Sequence, residues 1–220
     1  MTDLDSKLRD RVLAWLQTQV PEARVRHVLG VEELAIALAE THHLDRQRAA
    51  LAALMHDLAK YFKPQTLLGM AGQSGLQLDP VDRADPHLLH ADVGAIVARQ
   101  EFGVRDEDVL AAIANHTLGQ PGMSALSCVV FLADTLESGR GDTAELNQLR
   151  QVSQQNLTKA VWMTCDYTFK HLLDKGRLIH PRALQTRNWF LQADLGRWSS
   201  PAAAAQSLSL GLLPDAPHSA

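Results

Sequence analysis

Cysteine is scarce in this chain. Cys128 and Cys165 are the only two among 220 residues, far apart and in apolar stretches of helical character. That excludes a disulfide framework and suits two reduced core residues. Aromatic residues make up only 5%, and β-branched runs are few, so a sheet has little to build on. No stretch reaches the roughly 18 consecutive apolar residues of a membrane span. The opening MTDLDSKLRD is charged where a secretory signal would be apolar. The expected setting is the cytoplasm, with no membrane partner. A basic surplus is missing as well. The formal net charge is −4, which argues against a nucleic-acid polymer as partner. An acidic ligand would need a local attraction, and a bound metal would supply one.

What remains is rich in alanine and leucine, with 46% apolar and 21% charged residues. That balance favours helices packed around one core. Apolar positions at helical spacing predict helices over 4–20, 23–41, 46–61, 87–101 and 181–195. Two more begin at Asp106 and Ser124, and 142–174 reads as two helices or one broken one. Pro64 is expected to end the 46–61 helix. Residues 69–86, with Gly69, Gly72, Gly75, Pro80 and Pro86, are expected to be mostly loop. From Ser199 the chain is Pro-, Ser- and Ala-rich and nearly uncharged. The expectation is an all-α, single-domain helical bundle over 1–195 and a mobile tail over 196–220.

Six polar residues fall among apolar neighbours at inward positions: His27, His56, Asp57, His90, His116 and Asp134. Taken singly, an inward histidine is ordinarily a hydrogen-bonded core residue. A buried aspartate is costly unless paired or bound to a metal. Four such histidines and two aspartates together call for one or two metal ions, because imidazole and carboxylate suit borderline metals. The adjacent pair His56-Asp57 is the sharpest element. Its carboxylate has two oxygens and can bridge two ions.

The order His27, His56-Asp57, Asp134 resembles the HD superfamily of metal-dependent phosphohydrolases. The words RVRHVLGVEELAIALA, ALAALMHDLAK, LLHADVGA, NHTLGQPGM, FLADTLESGR and IHPRALQTRN resemble its YqeK branch, over roughly residues 10–193. The resemblance implies a single helical HD domain with a di-iron centre and symmetrical hydrolysis of diadenosine tetraphosphate to two ADP. It implies that His27, His56, Asp57 and Asp134 hold one metal. His90, His116 and Asp57 would hold the second. Asp57 and Lys60 would be catalytic, with Lys60 also meeting phosphate oxygens. Thr117, Gly122 and Met123 would shape the substrate pocket, and Arg140 would meet the polyphosphate. The metals would activate a water to hydroxide at neutral pH. Iron is the expected metal, with manganese, cobalt or zinc as alternatives. The chain departs from the family pattern at Gln120, where a basic residue is expected, and at Ser138, where proline is expected. Two other functions fit the same residues: an HD phosphohydrolase of a nucleoside di- or triphosphate or an alarmone, and a nucleotide-sensing HD protein without turnover. A monomer and a homodimer fit equally.

Overall fold

The structure, a computed structural model, describes residues 3–196. The expected tail lies, from residue 197 onward, outside the described residues. The helices in chain order are α1 (Asp3–Gln19), α2 (Glu22–Thr41), α3 (Arg46–Met55), α4 (Pro64–Gln73), α5 (Pro80–Ala84), α6 (His90–Glu101), α7 (Glu107–Asn115), α8 (Ala125–Leu136), α9 (Ala144–Gln155), α10 (Leu157–Asp174) and α11 (Pro181–Asp194). Short 3-10 turns at Pro86–Leu89 and Ser138–Arg140 complete the order. Among the described residues there is no strand, and no helix is long and apolar enough to cross a membrane.

Local chemistry sets most of these boundaries. Asp45, Asp106, Ser124, Thr143 and Asn156 each accept a hydrogen bond from a main-chain N–H in the first turn of the helix that follows. Asn156 also separates α9 from α10, so the segment 142–174 is two helices. The centre of the bundle is α8. Leu126 to Ala133 and Leu136 are all buried, so this helix is enclosed nearly all round. Helices α2, α3, α7 and α10 pack against it. Cys128 and Cys165 are buried free thiols, as their settings in the sequence imply.

Two segments differ from expectation. The helix expected over 46–61 stops at Met55. Beyond it the main chain tightens, with bonds to the third residue back: His56 N to Ala53 O, Leu58 N to Met55 O and Lys60 N to Asp57 O. Past this break His56 and Asp57 are both buried. The second difference is 69–86, which is more helical than loop. Pro64 starts α4 instead of ending a helix, since an N-terminal position needs no N–H. Gly69 and Gly72 sit on its open side, where an added Cβ would meet nothing within 4 Å. Leu67 and Ala71 bury the other side. Asp79 and Asp82 form a reciprocal cap around α5.

Removing bulk from the central helix should cost far more than removing a cap. Leu132→Ala, at a position with no exposed surface, is expected to destabilise the fold by about 3 kcal/mol. Asp45→Ala should cost about 1 kcal/mol. Urea midpoints for the two variants check the ranking, and equal losses would contradict it.

Candidate metal centre

The six inward residues converge from separate helix ends. His27 lies on the first half of α2, and His90 is the first residue of α6. His56 caps the C-terminus of α3, with Asp57 next to it, and His116 caps the C-terminus of α7. Asp134 stands near the end of α8. Gly94 lets α6 approach the His56-Asp57 turn, since a Cβ there would lie 3.3 Å from the His56 carbonyl oxygen.

The main chain holds three of the histidines in one tautomer. His56, His90 and His116 each turn Nδ1 to the carbonyl oxygen three residues earlier, on Ala53, His87 and Ile113. His27 Nδ1 faces Glu137 Oε1 at 3.0 Å. An N–H donated to a carbonyl leaves Nε2 bare in those three, while His27 has a carboxylate at each nitrogen and presents a bare Nε2 when its proton is on the Glu137 side. All four Nε2 atoms point at the same carboxylates. Asp57 divides its oxygens: Oδ2 lies 3.3 Å from His56 Nε2, while Oδ1 lies 3.4 Å from His90 Nε2 and 3.8 Å from His116 Nε2. Asp134 Oδ1 is 3.0 Å from His27 Nε2 and 3.8 Å from His56 Nε2. Two overlapping donor sets result, His27/His56/Asp57 and Asp57/His90/His116, each with its donor atoms within 4.8 Å of one another.

Several features of the protein itself fit a cation here. His56 Nε2 is buried and has no hydrogen-bond partner. The Nε2 atoms of His90 and His116 face each other at 3.0 Å. With Nδ1 as the donor in both rings, that is lone pair against lone pair. It is also the span of two bonds of about 2.1 Å meeting near a right angle. Buried bare imidazoles facing one another are what a metal's ligands look like, with the second nitrogen fixed by an outer hydrogen bond.

The electrostatics agree. Burial alone would push the Asp57 carboxyl up, but His56, Lys60 and His116 hold it well below the usual carboxylate range. Asp134 is held low in the same way, against its burial, by the His27 hydrogen bond and by His56 and His116. Burial pushes the His116 imidazole down to about 4, helped by charge on His56. Burial, Lys60 and His116 push His90 well below its usual range. His56 moves upward: burial opposes this, but Asp57 outweighs it.

The residues expected to meet substrate divide into two groups. Lys60, Thr117 and Arg140 are at the cluster. Lys60 Nζ donates to His90 Nε2 at 3.0 Å, and the Thr117 hydroxyl lies 3.2 Å from His90 Nε2 and 3.0 Å from His116 Nε2. Arg140 donates to Asp134 Oδ1 at 2.7 Å. Gly122 and Met123 sit in the following loop. Gly122 has φ +70° and faces the Trp189 ring, and Met123 packs against the core. Those contacts give both a packing role. Two residues at the cluster escaped the sequence reading. Arg24 Nη1 donates to Asp57 Oδ2 at 3.0 Å, and Glu137 holds His27. Arg24 stands one helical turn before His27, a spacing that could have flagged it.

The comparisons with known proteins point the same way. The HD domain family matches residues 24–139. The chain is 33% identical to a symmetrical bis(5'-nucleosyl)-tetraphosphatase of Bacillus subtilis (strain 168), over 83% of this chain and 97% of that protein. It is 37% identical, with the same coverage, to a protein of the same name from Halalkalibacterium halodurans. It superposes with a TM-score of 0.80 and 34% identity on the crystal structure of a "predicted HD superfamily hydrolase involved in NAD metabolism" from Clostridium acetobutylicum, covering 84% of this chain and 97% of that one.

A pH dependence follows for the metal-free protein. In the unfolded chain a histidine takes up its proton near pH 6.5. In the fold, His116 does so only near 4. Its contribution to stability is complete above the unfolded value and is lost as pH falls through the folded one. His56, shifted upward, contributes with the opposite sign. Denaturation midpoints at pH 7.5 and pH 5 should therefore change less favourably in wild type than in His116→Gln. The same change in both would contradict the assignment.

Proposed function

The chain belongs to the HD-domain family, and on that premise we propose that it is a metal-dependent hydrolase that cuts diadenosine tetraphosphate symmetrically into two ADP. The observation that carries the metal part of this reading is the Asp57 carboxylate, whose two oxygens are divided between two sets of bare imidazole nitrogens. His27, His56, Asp57 and Asp134 would hold one ion, and His90, His116 and Asp57 the other. Iron is the proposed metal, and the donor set also suits manganese, cobalt or zinc. When bound, the metal pair supplies a water acidic enough to attack phosphorus at neutral pH, and charge for the phosphoryl oxygens. We assign the hydrolytic domain to residues 1–195 and place the enzyme in the cytoplasm. The two buried free thiols fit a reducing compartment.

The side chains around the cluster suit a polyphosphate. Arg24, Lys60 and Arg140 rest on Asp57, His90 and Asp134. With neutral histidines, these three cations match the three carboxylates Asp57, Asp134 and Glu137. Two divalent ions would add about four positive charges. A tetraphosphate chain carries about as many negative ones. Each cation would then be free to turn from its carboxylate or imidazole to a phosphate oxygen. Arginine grips two oxygens of a phosphate at once, which suits Arg24 and Arg140 to binding and orientation. Lys60, beside His90, would neutralise charge on the phosphoryl group under attack. The Thr117 hydroxyl, between His90 and His116, can orient a phosphate oxygen or a water. The departing ADP is a diphosphate, a good leaving group that needs no covalent protein intermediate.

Symmetrical cleavage is tested by its products. Incubated with diadenosine tetraphosphate and iron or manganese, the enzyme should give ADP alone on ion-exchange chromatography, and a chelator should stop the reaction. ATP plus AMP, or turnover confined to another nucleotide, would overturn the substrate assignment. Tight binding with no turnover under any metal would favour a sensor. Arg24→Ala is expected to raise KM about tenfold, the loss of one charged hydrogen-bonding partner. An unchanged KM would remove Arg24 from the substrate site.

A further inference from the structure

His27 differs from the other three histidines in what holds it. His56, His90 and His116 each donate Nδ1–H to a main-chain carbonyl, a neutral acceptor. His27 Nδ1 instead meets a carboxylate, Glu137 Oε1 at 3.0 Å. Its other nitrogen faces Asp134 Oδ1, also at 3.0 Å. One helix end, Asp134-Thr-Leu-Glu137, thus grips both nitrogens of the same imidazole.

The Glu137 carboxylate is itself built in. Glu137 is 5% exposed. Its Oε2 accepts from the Gly139 N–H at 2.6 Å. A Cβ on Gly30 would lie 2.8 Å from Oε2, and one on Gly139 would lie 2.9 Å from it. Both positions are glycine, and either side chain would displace the carboxylate. Arg150 fixes the main chain at the same point through the carbonyls of Leu136, Glu137 and Gly141.

We propose that Glu137 is a positioning residue that makes His27 the strongest imidazole donor of the four, so that the His27 side of the centre takes up its metal first. The inference rests on the two-metal reading above. A carboxylate accepting an imidazole N–H pushes electron density to the opposite nitrogen and raises its basicity as a ligand. The surroundings add to this. The His27 side holds Asp134 and Glu137 beside the shared Asp57, with the Arg24 and Arg140 guanidiniums set against them, whereas the His90 side adds the Lys60 ammonium, 3.0 Å from His90 Nε2, without a further carboxylate in its donor set. A divalent cation meets the more negative side first.

The test is anaerobic titration of metal-stripped protein with Co²⁺, followed by calorimetry and by the visible cobalt spectrum. Wild type is expected to bind two ions in two steps. Glu137→Gln keeps the shape and an acceptor oxygen but removes the charge. It should weaken the tighter step about 10- to 100-fold and leave the other within about twofold. His116→Ala should remove the weaker step instead. Gly30→Ala keeps every charge, favours the α2 helix, and should weaken the same step as Glu137→Gln by pushing the carboxylate off His27. Circular dichroism confirms that each variant is folded. Two unaltered steps in Glu137→Gln, or equal weakening of both, would overturn the inference and leave the two-metal reading standing. A wild type that binds fewer than two Co²⁺ would overturn the reading and the inference together.

Discussion

The constraint on which the rest depends is the cost of leaving lone pairs unanswered in a dry interior. Four imidazole nitrogens and two carboxylates are turned toward one point, and His56 Nε2 makes no hydrogen bond among the described residues. Each such group costs free energy when buried unpaired. The helical scaffold meets that cost because the enclosed helix α8 and its neighbours bury enough apolar surface to hold the cluster together. In return, the donors are fixed before any ion arrives, so little ordering remains to oppose binding. The metal's role in stability and its role in chemistry therefore share one origin.

The way the cluster is assembled also follows from backbone geometry. Three of the six residues, His56, Asp57 and His116, stand just past a helix C-terminus and not within a helix. At such an end the main chain tightens, and a histidine can bond back to a carbonyl three residues earlier, as His56 and His116 do. The same device thus ends the helix, adds a second bond to the carbonyl that accepts the histidine's own N–H, and aims Nε2 inward. His27, which is in mid-helix, borrows Glu137 from another helix instead.

Much of this was legible in the sequence. The inward set could be named because histidine and aspartate stood at apolar-periodic positions, and the quoted words placed Lys60 and Arg140 with them. The caps at Asp45, Asp106 and Ser124 were readable for a simple reason: the residue type and the start of an apolar period coincided. The break at Met55 was hidden, because the stretch from His56 to Lys60 keeps a helical pattern while serving the centre. Pro64 misled by the opposite route, since the same ring that ends one helix can open another. Arg24 was marked only by its spacing from His27, and Glu137 was hidden, because nothing in a linear pattern says which charged residues lie across the bundle from a ligand. Their partners Asp57 and His27 are 33 and 110 residues away.

The two departures from the family pattern can be weighed physically. Glu137 adopts φ −54° and ψ 156°, the extended conformation that a following proline would enforce. Ser138 does not enforce it, yet the turn keeps this shape. The Glu137 side chain is tied to Gly139 N, and Arg150 ties the carbonyls on either side. The hydrogen bonds supply what the proline ring would have supplied, so the carboxylate still meets His27. Gln120 is different in kind. It is exposed in the loop after α7, and its carbonyl accepts only the local bond from Met123 N. A missing basic side chain there removes one cation from the rim and none from the centre. On the proposed function, the charge that grips a polyphosphate would then come from Arg24, Lys60 and Arg140. This places more of the binding on the residues that already touch the ligands, and couples substrate affinity more closely to metal occupancy.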